Sequence, residues 1–218
     1  TPHGGGGPGA GPTVLSEKLA PYAPLPFVVH DGDGLRMVEH AESSGGAKPF
    51  GRVKGYHGQF GVFIRALAYI LSMGSDGLRL ASSDAVLNAN YLLARLGGTL
   101  TPSFEGPCMH EALFDDRFLK DSGVTTLDFA KALIDEGFHP MTMYFPLVVH
   151  GALLMEPTET ESKETLDGYV EVVKALAAKA AADGAADEFK AAPKYTPRRR
   201  LDETQAARSP VLRWKPGS

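Results

Sequence analysis

This 218-residue chain contains little that would cross-link it or anchor it in a membrane. Its single cysteine, Cys108, excludes an intramolecular disulfide and any multi-cysteine metal site, and one lone cysteine is typical of a reducing compartment. We expect the Cys108 thiol to be inert. The longest apolar run, residues 62–71, contains Arg65 and is too short to span a bilayer, and no basic-then-apolar signal peptide opens the sequence. We therefore expect no membrane partner.

An excess of positive charge is also lacking, since the formal net charge is -4. Nucleic-acid binding needs a basic face, so this balance argues against a nucleic-acid partner. Arginines cluster at one place, residues 198–200, which we interpret as a solvated surface tail. A hydrophobic share of 43% is that of an ordinary globular protein, and the length suffices for one or two domains.

The front half is predicted to contain a short helix at residues 16–22, two extended runs at 26–30 and 35–39 joined by a turn, and two long helices. The first long helix ends at Gly74, a good helix stop, and the second covers residues 76–96 before Gly97. Apolar residues at spacings of three and four define one wide face of the first helix: Phe60, Phe63, Ile64, Leu67, Ala68, Ile70 and Leu71.

After Gly98 the pattern changes to short strands and amphipathic helices. Strands are predicted at 99–104, 109–114, 141–145 and 153–156, and helices at 125–136, 160–183 and 185–190. Thr125 or Thr126 is expected to cap the first of these helices. This alternation suggests an α+β unit, so we predict two domains, 1–97 and 98–218.

The opening residues form a glycine-dense segment, in which His3 precedes Gly4, Gly5, Gly6 and Gly7. Such a loop is either a flexible linker or a segment whose amides approach a phosphate or carboxylate closely. We expect the sequence to start within a domain.

Three other groups of residues are candidates for chemistry. Tyr56 and His57 precede the long helix, where exposed amides can bind an anion. Residues 156–163 combine carboxylates and hydroxyls, which favours a helix start at Thr160 over an acid-base or metal cluster. Cys108, His110 and Glu111 are adjacent, but a zinc site needs a third and fourth ligand, and none is evident, so we expect no metal.

The order of motifs along the chain resembles the P-protein of the glycine cleavage system, glycine dehydrogenase (decarboxylating), in its second subunit or carboxy-terminal part. The resemblance covers nearly the whole chain. The matching segments are residues 3–9, 77–79, 85–92, 108–111, 123–128, 137–140, 144–146, 156–164, 199–203 and 210–214.

This resemblance implies an α/β fold of the aspartate-aminotransferase type (fold type I), here the end of the large pyridoxal-phosphate (PLP)-binding domain plus an α+β carboxy-terminal small domain. It implies a PLP enzyme that releases CO2 from glycine and transfers the aminomethyl group to the lipoyl arm of the H-protein. The expected partners are glycine, the lipoyl-bearing H-protein and the other P-protein subunit or half. The expected compartment is the bacterial cytoplasm, or the mitochondrial matrix in a eukaryote.

In this family the lysine that binds PLP lies a few residues before the glycine loop, which places it upstream of Thr1. We therefore assign no catalytic residue here and expect the chain alone to be inactive. Lys18, Lys48 and Lys54 are nearest and are expected to be surface residues. His3 and Gly4 to Gly7 are predicted to lie next to the cofactor. Tyr56, His57 and residues 156–161 are weaker candidates for active-site lining or subunit contact.

Two other readings remain open. The chain could be a non-catalytic scaffold subunit of the same family, which a stable isolated chain would favour. An exposed apolar face on the helix at 60–71 would instead favour a fragment separated from its large domain. A PLP enzyme acting on a larger amino acid, such as a glutamate decarboxylase, fits the motifs less well.

Overall fold

The computed structural model describes residues 11, 13–41, 45–55, 57–214 and 216, which divide into two compact units, Thr1–Asp76 and Gly77–Ser218. These two units are defined by which residues pack together. The predicted boundary near residue 97 was drawn instead between the large and the small domain of a PLP enzyme, and that domain division stays a prediction.

The first unit contains a hairpin of two antiparallel strands, β1 (Phe27–His30) and β2 (Leu35–Val38). Its turn is closed by a hydrogen bond from the Asp31 amide to the Gly34 carbonyl at 3.3 Å. The predicted extended runs are thus confirmed. The helix predicted at 16–22 is wrong in extent, because only a 3-10 turn at Ala20–Tyr22 forms, with Pro21 inside it and no buried residue.

Helix α1 (Phe60–Leu96) has non-helical backbone angles at Gly74, with φ of 63° and ψ of -177°. The prediction that Gly74 stops the first helical segment is confirmed, since a positive φ is a conformation that glycine adopts readily. The side chains buried along α1 all lie near its end: Ala89, Leu92 and Leu96.

The second unit is built on a four-stranded antiparallel sheet in the order β3-β4-β6-β5. The strands are β3 (Thr101–Pro102), β4 (Ala112–Asp115), β5 (Thr142–Met143) and β6 (Leu153–Met155). All four lie inside or next to the predicted strands. Ala112 pairs with Met155 and Phe114 with Leu153, and these four side chains are buried.

Three helices complete the core of the second unit: α2 (Thr126–Asp135), α3 (Lys163–Ala180) and α4 (Ala185–Lys190). Phe129 of α2 packs edge-on against Phe118 at 5.3 Å and stacks on Phe189 of α4 at 6.3 Å. Thr125 caps α2 in a reciprocal pair with Asp128, which confirms the predicted helix start. The second unit thus has a hydrophobic core of its own.

Arg200 corrects the interpretation of residues 198–200 as a solvated tail. Its guanidinium donates to the Ala192 carbonyl at 2.7 Å and to the Phe189 carbonyl at 3.0 Å, and it pairs with Asp128 at 2.8 Å. The sequence then forms a short helix that was not predicted, α5 (Glu203–Arg208). Within the described residues, none of the helices is long and apolar enough to cross a membrane.

Candidate functional site

The residues predicted to lie next to the cofactor, His3 and Gly4 to Gly7, fall outside the described residues, and so does Tyr56. Lys18, Lys48 and Lys54 are exposed, as expected of surface lysines. In the described part of the chain no lysine is buried. The predicted cofactor contacts stay a prediction.

His57, in the first unit, forms a surface ion pair. Its Nε2 lies 2.7 Å from Oε1 of Glu39, whose other carboxylate oxygen is 3.6 Å from the Arg52 guanidinium. The hydrogen bond with His57 holds the pKa of Glu39 below its ordinary value. His57 therefore has an acidic partner within its own unit, and its proposed role in lining an active site is not tested by this contact.

In the second unit the sheet brings together two segments that the sequence analysis considered separately. The antiparallel register of β4 and β6 ends at the pair Ala112 and Met155, and the next residues beyond this pair are Glu111 and Glu156. His110 Nε2 lies 4.0 Å from Glu156 Oε1. The candidate site is therefore the His110–Glu111–Glu156 cluster, in which one ligand atom of each residue lies within 4.8 Å of the others.

Two asparagines of α1 hold the loops on either side of this cluster. The Asn90 side chain donates to the Cys108 carbonyl at 2.7 Å and accepts from the Cys108 amide at 3.0 Å. Asn88 donates to the Thr158 carbonyl at 2.9 Å and reaches the Glu161 carbonyl at 3.4 Å. The sequence analysis missed this role. The available signal was two asparagines, which are poor helix formers, close together inside a predicted helix.

The turn after Glu156 leads into α3, and its geometry corrects one prediction. Ser162 caps α3 by accepting a hydrogen bond from the Thr165 amide at 3.1 Å. The predicted start at Thr160 is wrong because the Thr160 hydroxyl bonds instead to that of Thr158, at 2.7 Å. These exposed hydroxyls and carboxylates form a polar rim next to the cluster.

A network of charged groups ties α3 to α1 below this turn. Asp167 accepts hydrogen bonds from the Tyr91 hydroxyl and, at 2.6 Å, from the Lys163 ammonium. The hydrogen bond from Lys163 is the main reason that the pKa of Asp167 lies below its ordinary value, and it raises the pKa of Lys163. Arg95 of α1 also lies 3.6 Å from Asp167, and we interpret this network as structural because it links side chains of the two helices to one another.

Cys108, next to the cluster, is half-buried and free. Burial raises the pKa of its thiol, so the thiolate that nucleophilic attack requires is disfavoured at neutral pH. This direction supports the expectation of an inert thiol. The chemistry that the candidate site offers is therefore that of an imidazole and two carboxylates.

The fold defines the class of protein. The chain is similar to the crystal structure of glycine decarboxylase (P-protein) of the glycine cleavage system in inhibitor-bound form, with a TM-score of 0.57 and 18% identity, over 73% of this chain and 37% of that one. The fold is thus that of the carboxy-terminal part of a fold type I PLP enzyme, as predicted.

Sequence similarity is more specific. A profile of the glycine dehydrogenase C-terminal domain family matches residues 81–197, and the chain belongs to that family. It is 63% identical over 217 residues to the probable glycine dehydrogenase (decarboxylating) subunit 2 of Caulobacter vibrioides, covering 99% of this chain and 41% of the relative. The corresponding proteins of Halalkalibacterium halodurans and Kosmotoga olearia are 48% and 47% identical, over 98% and 99% of this chain and 42% and 44% of theirs. The chain thus spans about two fifths of the length of these relatives.

Proposed function

We propose that this chain supplies the carboxy-terminal part of subunit 2 of a glycine dehydrogenase (decarboxylating). The complete enzyme would release CO2 from glycine and transfer the remaining aminomethyl group to the lipoyl arm of the H-protein. The observation that carries the proposal is the 63% identity over 217 residues to the Caulobacter vibrioides subunit 2. Such identity across nearly the whole chain supports a shared role, not merely a shared fold.

PLP is the proposed cofactor, and when bound it acts as the acceptor for the electrons released in decarboxylation. None of the lysines in the described part of the chain is buried, which supports a cofactor lysine outside those residues. We therefore propose that the lysine and most cofactor contacts belong to the part of the longer relatives that this chain does not cover. His3 and Gly4 to Gly7 remain the residues of this chain proposed to lie beside the cofactor.

The proposed partners are glycine, the H-protein and the other P-protein subunit or half, and the proposed compartment is the bacterial cytoplasm. The bacterial sources of the relatives support the compartment. The apolar side chains exposed along the first part of α1, such as Phe60 and Leu71, support the view that this chain works within a larger assembly.

A second candidate function is that of a non-catalytic scaffold. It is favoured by the continuous core of the second unit, which contains fully buried side chains such as Phe114, Phe129 and Leu153. The two proposals predict different results when the remainder of subunit 2 is supplied: the enzymatic proposal predicts decarboxylation of glycine, and the scaffold proposal predicts none.

A chimera tests the enzymatic proposal. This chain replaces the matching region of the Caulobacter vibrioides subunit 2, and the chimera is purified with subunit 1, PLP and the H-protein. We expect it to release labelled CO2 from carboxyl-labelled glycine, whereas the relative truncated at the same point releases none. A folded chimera that binds PLP but releases no CO2 would contradict the enzymatic proposal and favour the scaffold.

The chain alone provides a second test. Mixed with PLP, it is expected to remain colourless. A visible absorbance band that borohydride removes, with label left on a lysine of this chain, would show that the cofactor lysine had been placed wrongly.

A further inference from the structure

We propose that the His110–Glu111–Glu156 cluster binds a divalent transition-metal ion of the zinc type. Two of its residues lie just before β4 and the third just after β6, so an ion bound there would link the two strands at the end of their ladder. This inference does not depend on the proposed activity. It concerns residues of the second unit alone.

The first argument is geometric. Zinc binds imidazole nitrogen and carboxylate oxygen at about 2.0–2.2 Å, so its ligand atoms lie roughly 3–4 Å from one another. The ligand atoms of the cluster are already within 4.8 Å of one another. The His110 and Glu156 side chains are 54% and 42% exposed, so they have room to rotate through the remaining distance.

The second argument is electrostatic. Glu111 and Glu156 lie just beyond the last β4–β6 pair, with a carboxylate oxygen of each within 4.8 Å of the other, and two like charges this close repel each other. Among the described residues, neither carboxylate has a lysine or arginine partner, and the ion pair found for them is that of Glu156 with His110, at 4.0 Å. A bound cation would remove this repulsion.

The third argument is that the backbone beneath the ligands is fixed. Ala112 and Met155 are buried and paired. The Asn90 side chain forms two hydrogen bonds with the backbone of Cys108, two residues before His110. Ligand residues that extend from a fixed frame lose less conformational freedom when an ion binds. The sequence-based expectation of no metal depended on the absence of a third and a fourth ligand, and the fold brings Glu156 to His110 and Glu111 as a third.

The donor set indicates which ions would bind. One imidazole and two carboxylates suit Zn²⁺ and its neighbours in the transition series, whereas Mg²⁺ and Ca²⁺ prefer sites made of oxygen alone. Three protein ligands leave a position for water or a further ligand. We expect Zn²⁺ to bind more tightly than Mg²⁺.

Calorimetric titration of the untagged, chelator-treated 218-residue chain with Zn²⁺ tests this proposal, together with thermal unfolding at each Zn²⁺ concentration. We expect about one ion per chain and a rise in Tm with Zn²⁺, since an ion that binds the folded state stabilises it. Glu156→Gln should weaken binding by at least about tenfold and abolish most of the Tm rise. Cobalt, used as a spectroscopic substitute, should give visible bands that Glu156→Gln removes.

Glu159→Gln is the matched control, because Glu159 is an exposed glutamate on the same turn outside the cluster. His139→Gln tests an exposed histidine elsewhere in the unit. Both should bind Zn²⁺ like the unaltered chain. The proposal is overturned if the unaltered chain binds no ion, or if the Glu159 and His139 variants lose binding as much as Glu156→Gln does. Circular dichroism at each stage verifies that the variants are folded.

Discussion

Gly151 occupies a position that a larger residue cannot take without moving its surroundings. Its φ is +58°, and a Cβ added there would lie 1.9 Å from Cγ and 2.5 Å from Cβ of Asp116. Its carbonyl accepts a hydrogen bond from the buried Thr126 hydroxyl at 2.9 Å, which joins the residues before β6 to the start of α2. Because the clash includes the Cβ of Asp116, rotating that side chain would not relieve it.

We predict that Gly151→Ala destabilises the second unit more than Gly184→Ala does. Gly184 also has a positive φ, of 79°, but an added Cβ would meet no atom within 4 Å. The strained backbone alone should cost Gly184→Ala about 1–2 kcal/mol, and the clash should bring the cost of Gly151→Ala to roughly 2–5 kcal/mol. Urea unfolding of the two variants measures the difference. Equal losses would mean that Asp116 moves aside freely.

At the scale of elements, Asp128 connects the start of α2 to the chain beyond α4. It accepts hydrogen bonds from the Thr125 amide at 3.0 Å and the Thr125 hydroxyl at 2.6 Å, and it pairs with Arg200 at 2.8 Å. Burial by itself raises the pKa of Asp128, but the hydrogen bonds from Thr125 and the contact with Arg200 outweigh it, so the pKa lies below its ordinary value. The charged form is therefore the one that stabilises the fold.

The sign of the pH dependence follows from this lowered pKa. A carboxyl whose pKa is lower in the folded state contributes stability above its unfolded pKa, about 3.9, and loses that contribution as the pH falls through the folded value. Asp128→Asn should cost about 1–2 kcal/mol at pH 7 and progressively less as the pH falls below about 4 toward the lowered pKa of the folded state, where the unaltered side chain also becomes neutral. Urea unfolding at several pH values measures this. Glu105→Gln, an exposed acid, should show no such trend.

The sequence predicted well those elements whose signals are local. Gly74 and Thr125 mark a helix stop and a helix start because backbone conformation and capping depend on a few neighbouring residues. Competing local signals caused the error at α3, where Thr160 and Ser162 are both good caps and the Thr158 hydroxyl engages Thr160. Which of the two residues caps the helix depends on tertiary contacts, and hydrophobic periodicity carries no information about those contacts.

The features that the sequence did not predict depend on partners far apart along the chain. Asn88 bonds to Thr158, 70 residues away, and Glu156 meets His110 only because β4 and β6 pair. Arg200 was predicted to belong to a solvated arginine run, but in the fold it forms an ion pair with Asp128. In each case the residue types were visible in the sequence, but the contact is produced by the tertiary fold.

At the scale of the whole molecule, the first part of α1 presents apolar side chains to solvent. Phe60 and Leu71 are 72% and 74% exposed, and Phe63, Ile64 and Leu67 lie between them at helical spacing. A continuous apolar face of this kind marks a surface that another polypeptide covers. The part of the longer relatives that this chain does not span is the partner that we expect.

We predict that the isolated chain associates with itself and binds a hydrophobic dye through this face. Replacing Ile64 and Leu67 together with glutamine should lower dye fluorescence and shift the chain toward the monomer in analytical ultracentrifugation, because glutamine preserves helix propensity while removing apolar area. The control replaces Val211 and Leu212, which are also exposed but lie outside that helix. Within the chimera with the Caulobacter vibrioides subunit 2, the unaltered face should no longer bind dye. If the Ile64 and Leu67 replacements leave association unchanged, the exposed face of α1 does not mediate self-association. The surface that the rest of the subunit covers would then be a different one.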